Sequence, residues 1–108
     1  MTPTASNPVT QKPPSIQMCA ILIILSADAQ LEKAVLPHIE FANESIFWDR
    51  IFNHPFGSGH RAALGFAYSI WTDEVMESSN PFSDALNMDA PLKRACLNAL
   101  ALRWGVRR

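Results

Sequence analysis

Eight apolar residues in succession, Met18 to Leu25, form the longest hydrophobic run in the chain. The run is well short of the roughly 20 residues that a membrane-spanning helix needs, so it does not cross a bilayer. Over so short a stretch, periodicity does not separate a buried strand from the first turns of a core helix. Beyond it, Ser26 can cap a helix that holds Ala29, Leu31, Ala34, Val35 and Leu36, with Glu32 and Lys33 on its polar side and Pro37 as its stop. Joined together, the two stretches read as one element from about Ile16 to Leu36.

Asn43 then stands where an N-cap belongs, ahead of Phe47, Trp48, Ile51 and Phe52 on one helical face, which predicts a second helix over 44–53. Asn53 to Gly59 holds two glycines and a proline and reads as a loop. Ser58 is the expected cap of a third helix, from about Gly59 to Met76, with Leu64, Ala67, Ile70 and Trp71 on or beside its inner face. Gly65 in its middle costs about 1 kcal/mol relative to alanine and suggests a close helix crossing. Asn80 and Pro81 open a short helix to about Asn87, and Asp89, Ala90 and Pro91 open the last. That last helix carries Leu92, Cys96, Ala99 and Leu100 on one flank and Leu97, Ala101 and Trp104 on the other, and stops at Gly105. No run alternates with the period of a strand. The expected fold is all-α, a small single-domain bundle of four to five helices, with Trp48, Leu64, Trp71, Leu97 and Leu100 in its core.

A length of 108 residues suits one core and not two. Residues 1–17 contain Pro3, Pro8, Pro13 and Pro14 and no aromatic side chain, so they read as a flexible, disordered arm ahead of a helical domain over 18–108. Ala27-Asp28-Ala29 fits a signal-peptide cleavage pattern, which makes secretion after cleavage near Ala29 the minority alternative. A single lysine, Lys12, behind a proline-rich leader makes a poor signal, so a cytoplasmic location is the preferred reading.

Nine Lys and Arg against ten Asp and Glu leave a net charge of -1, yet the charges are segregated. Five acidic and no basic residues lie between Asp73 and Asp89 (Asp73, Glu74, Glu77, Asp84, Asp89), and five basic and no acidic ones between Lys93 and Arg108 (Lys93, Arg94, Arg103, Arg107, Arg108). Helix dipoles account for Asp89 and Arg103, but Arg107 and Arg108 lie past the Gly105 stop. A basic end beside Trp104 suits an acidic protein partner, or nucleic-acid phosphate. The aromatic residues are also more numerous than one small core absorbs, and exposed ones mark interfaces. Candidate partner-binding residues are therefore Phe41, Trp48, Phe56, Trp104, Arg107 and Arg108.

The most chemically suggestive segment is Gly57-Ser58-Gly59-His60-Arg61, a small-residue loop running into a helix. Helix N-termini present free N–H groups and partial positive charge, so Ser58, Gly59, His60 and Arg61 are the candidate anion-binding residues. The spacing is neither that of a phosphate-binding loop nor that of a dinucleotide fingerprint. His38, His54 and His60 lack helical ligand spacing, so no metal is expected. Cys19 and Cys96 lie among apolar residues, where a thiol is a small hydrophobe and a poor nucleophile. Glu74 and Glu77 read as a solvated helix end rather than a carboxylate pair in a cleft. The leading functional reading is a non-enzymatic helical interaction module, of adaptor or inhibitor type, that binds a protein partner or its own copy and uses no cofactor. The alternatives are an anion or small-molecule binder or enzyme working through Gly57–Arg61, and a nucleic-acid binder working through the basic C-terminal segment.

Overall fold

The computed structural model describes residues 14–77 and 79–106. The expected arm therefore falls largely outside the described residues, as do Arg107 and Arg108. Among the described residues the chain forms six α-helices: α1 (Ile16–Ser26), α2 (Ala29–Val35), α3 (Trp48–Phe52), α4 (Ser58–Thr72), α5 (Pro81–Asp84) and α6 (Ala90–Trp104). Two 3-10 turns, Leu36–His38 and Ala85–Asn87, follow α2 and α5, and two short strands, β1 (Ile39–Glu40) and β2 (Ser45–Ile46), form a hairpin. The architecture is a helical bundle, as the sequence predicts.

α1 is the centre of the bundle and packs against α6, α4 and α2. Its apolar run surrounds the whole helix: Met18, Ala20, Ile21, Ile24 and Leu25 are buried, while Leu22 and Ile23 are partly buried against the same core. A helix that is hydrophobic all round is stable only where neighbours cover most of its circumference. Ser15 starts it by accepting the Met18 N–H at 3.1 Å, so the helix begins within the stretch expected to be an arm. Leu31, Val35, Ile51, Leu64, Leu92 and Ala99 close the core around it.

The single element expected over 16–36 is broken at Ala27–Asp28. Asp28 adopts an extended backbone and its Oδ1 accepts the Leu31 N–H at 2.9 Å, so Asp28 and not Ser26 caps α2. The Ser26 hydroxyl instead donates back to the Ile23 carbonyl. This break raises the helix count from five to six. Asn43 is likewise not a cap. It lies in the hairpin turn, where Ile39 pairs with Ile46 and Glu40 with Ser45. The Phe47 N–H is committed to the His38 carbonyl at 3.0 Å, which delays α3 to Trp48. Glu44 takes a left-handed backbone in that turn, and its carboxylate accepts the Ser15 N–H at 2.9 Å, tying the hairpin to the start of α1.

α4 ends at Thr72, earlier than Met76, because Asp73 is in the left-handed region and its N–H closes on the Ser69 carbonyl. α5 and α6 start as expected: Asn80 Oδ1 accepts the Phe82 and Ser83 amides, and Asp89 Oδ1 accepts the Leu92 amide at 3.0 Å. Gly105, with φ of 73°, ends α6. Gly65 makes no close crossing, since a Cβ there would meet nothing within 4 Å. The close approach is at Gly59, where a Cβ would lie 2.8 Å from the Asn87 carbonyl oxygen. Leu64 is buried as expected, whereas Trp48, Trp71 and Leu100 are only partly buried against the core. Leu97 overturns its expectation and stands in solvent.

Candidate functional site

Two places are candidates for chemistry or recognition: the ground around the start of α4, and the outer face of α6. At the first, Gly57 is the extended residue before the helix and supplies no side-chain cap, so Ser58 is the first helical residue and not the cap the sequence suggested. His60 is held by Asp28 from 32 residues away. Its Nε2 lies 3.1 Å from Asp28 Oδ2, while Oδ1 of the same carboxylate serves the α2 cap. One carboxylate thus fixes both the start of α2 and the start of α4. The Leu31 amide does most to hold the Asp28 carboxyl below the usual carboxylate range; partial burial opposes it, and the His60 hydrogen bond and charge assist.

The four residues expected to cradle an anion do not face one point. Gly59 and His60 line an open groove of about 870 Å³, shared with Lys33 of α2, the His54–Gly57 loop and Asp89. Ser58 and Arg61 line a smaller one, of about 360 Å³, beside Glu77 and Asp84. The reason is helical geometry: Ser58 and Arg61 are three apart and share a face, while His60 lies on the opposite side. In the larger groove the His54 and Phe56 rings stack at 4.6 Å, and Phe56 meets His60 edge-on at 6.1 Å. Phe56 packs against the core, and Trp48 forms a three-ring cluster with Phe52 and Tyr68, at 5.8 and 5.3 Å, so both proposed contact residues also serve the interior.

Among the described residues no three His, Cys, Asp or Glu side chains group closely enough to hold a metal ion. Cys96 is buried with its sulfur 3.7 Å from the Met88 sulfur, and burial pushes its thiol up to about 12. It stays protonated at neutral pH and is no nucleophile. Among the described residues no helix is long and apolar enough to cross a membrane.

The second feature is α6. Leu92, Ala95, Cys96 and Ala99 turn inward, which leaves the opposite flank outside. Leu97 is 68% exposed and Trp104 69%. With Ala101 between them they follow at spacings of four and three, a continuous stripe along the helix. Lys93 and Arg94, four and three residues before Leu97, are exposed on the same side and make no ion pair with the described residues. Arg103 points elsewhere and pairs with Asp73 at 3.1 Å, so among the described residues one charge of the basic run meets the acidic run. Phe41, in the hairpin turn, is exposed at a separate place.

Two surface positions escaped the sequence reading. Phe82 and Leu86, four apart on α5 and its following turn, are 90% and 76% exposed. Their spacing was visible, but nothing in the sequence tells which side of so short a helix faces inward. Leu97 was lost for a related reason, since α6 offers two apolar flanks. Comparison with known proteins supplies no relative: no family model, curated protein or solved structure matches the chain.

Proposed function

We propose that the chain is a non-enzymatic protein-interaction module that works through the outer face of α6. The observation that carries this reading is the solvent-facing stripe of Leu97, Ala101 and Trp104, flanked by the exposed cations Lys93 and Arg94, which make no ion pair with the described residues. Tryptophan and arginine are the residues most enriched at interface hot spots. A helix presenting apolar side chains every three or four residues is also a standard element of helix-in-groove recognition. Arg107 and Arg108 extend the basic character past the end of the helix in sequence.

A photo-crosslinking residue at position 97, compared with the same residue at exposed Ser26 on the end of α1, tests the reading in cells of the native host. Adducts specific to position 97, and lost on Lys93→Glu/Arg94→Glu, are expected. Equal adducts at both positions would refute it.

The larger groove supports a second reading, a site for a small anionic ligand, because it presents Lys33, His54 and His60 to one open space. Titration with inorganic phosphate, followed by amide shifts of residues 54–60, tests it. Absence of a saturable response up to millimolar phosphate removes it. Ser58 and Arg61 take no part in this version of the site.

A further inference from the structure

We propose that the partner of the α6 face is a second copy of this chain, which docks its exposed Phe82–Leu86 surface there. This rests on the interaction reading above and names its occupant. Both surfaces expose large apolar side chains, and their charges are of opposite sign. One is a helix face with Leu97 and Trp104 exposed beside Lys93 and Arg94. The other exposes Phe82 and Leu86 on the acidic segment that runs from Asp73 to Asp89, where Glu74 and Glu77 are exposed and form no ion pair with the described residues. Among the described residues the two charge runs meet at Asp73 and Arg103, and Glu74, Glu77, Lys93 and Arg94 form no ion pair there, which leaves them for an intermolecular contact.

Two further observations favour a like partner. The net charge of -1 puts almost no long-range repulsion between copies. Pairing α6 with α6 would oppose Lys93 and Arg94 to a second basic helix, whereas pairing α6 with the 82–86 surface opposes unlike charges. Only Asn87, Met88 and Asp89 separate the end of the acidic-apolar surface from α6, so the two begin close together along the chain. A two-fold arrangement makes the contact twice, each copy giving one surface and receiving the other, and closes without an open chain. A single contact of one helix face is small beside the roughly 800 Å² per partner of a stable interface. The reciprocal pair supplies two.

The test is sedimentation equilibrium of the purified chain at low salt, from micromolar to near-millimolar concentration. The wild type is expected to form dimers that weaken at least tenfold in 0.5 M NaCl, because exposed charges are screened. Phe82→Ser and Trp104→Ser, both at exposed sites, are expected to remain folded by circular dichroism and to stay monomeric. Lys93→Glu/Arg94→Glu and Glu74→Lys/Glu77→Lys are each expected to be monomeric alone and to dimerise when mixed, since the mixture restores unlike charges at both contacts. A monomeric wild type throughout, or a dimer unaffected by all four variants, overturns the proposal. A monomeric chain that still crosslinks another protein from position 97 overturns self-pairing alone and keeps the interaction reading; loss of both removes both.

Discussion

Replacing Gly59 by alanine sets two effects of opposite sign against each other. In a helix alanine is favoured over glycine by up to about 1 kcal/mol, and Gly59 is the second residue of α4 with an ordinary helical backbone. The added Cβ would, however, lie 2.8 Å from the Asn87 oxygen and 3.6 Å from the Asn87 carbon and the Met88 Cα. All three are backbone atoms, so no side chain can rotate aside and the turn after α5 must move. Overpacking of this kind costs about 1–3 kcal/mol, and the net expectation is a loss of about 1–2 kcal/mol. Gly65→Ala is the control. Nothing lies within 4 Å of its Cβ, so the propensity gain stands alone and the variant is expected to be about 0.5–1 kcal/mol more stable than wild type. Urea denaturation followed by far-ultraviolet circular dichroism measures both. For a domain of this size each kcal/mol also moves Tm by roughly 4–8 °C. A Gly59→Ala variant as stable as wild type, or a destabilised Gly65→Ala, would refute the assignment of Gly59 as the contact point between α4 and the 85–87 turn.

Leu92→Ala, at a buried position of α6, is expected to cost about 2–5 kcal/mol, while Leu97→Ala on the outer face should change stability by less than about 0.5 kcal/mol; similar losses in chemical denaturation would show the faces to be misassigned. Asp28→Ala removes the α2 cap and the partner of His60 and is expected to cost about 1 kcal/mol, with Asp28→Asn retaining part of the cap. Because the folded protein lowers the Asp28 pKa, its charged carboxylate stabilises the fold at neutral pH, and that contribution fades as pH falls below about 4. The urea midpoint of Asp28→Asn should therefore drop less than that of wild type between pH 5 and pH 2, and parallel curves would contradict the linkage. In a Cys19→Ser background, Cys96 is expected to resist Ellman's reagent at pH 8 until denaturant is added; rapid labelling of the native protein would contradict its burial.

Capping chemistry made the later half of the fold legible. Asn80 with Pro81, Asp89 before α6 and Gly105 after it are local signals whose geometry needs no distant partner. The earlier half depended on competition between neighbours. Ser26 and Asp28 are both good caps two residues apart, and the choice of Asp28 is coupled to His60, which lies in another helix. The hairpin carries no turn dipeptide; Glu44 accepts a left-handed backbone while its carboxylate binds the start of α1, a contact across 29 residues. The segment 57–61 was found as a chemically unusual stretch, but its division between two grooves follows from the helical phase of Ser58, Arg61 and His60 once α4 begins at Ser58 rather than Gly59. On α6 either apolar flank satisfied the sequence pattern. Only the packing of Leu92 and Cys96 against the core decides that Leu97 and Trp104 face water.

The pairing of α1 with α6 bears on how the chain is made. Among the described helices α1 is synthesised first and is the most apolar, yet its most extensive partner is the last of them. Roughly 80 residues separate the end of one from the end of the other, which is about 4–16 s of translation at 5–20 residues per second. Throughout that interval Met18 to Leu25 lacks the helix that covers it in the native state, and exposed apolar segments of this kind are what chaperones recognise and what aggregates when they are scarce. The same geometry makes a chain interrupted before α6 a poor candidate for partial folding: it keeps the apolar helix and loses the surface built to hide it.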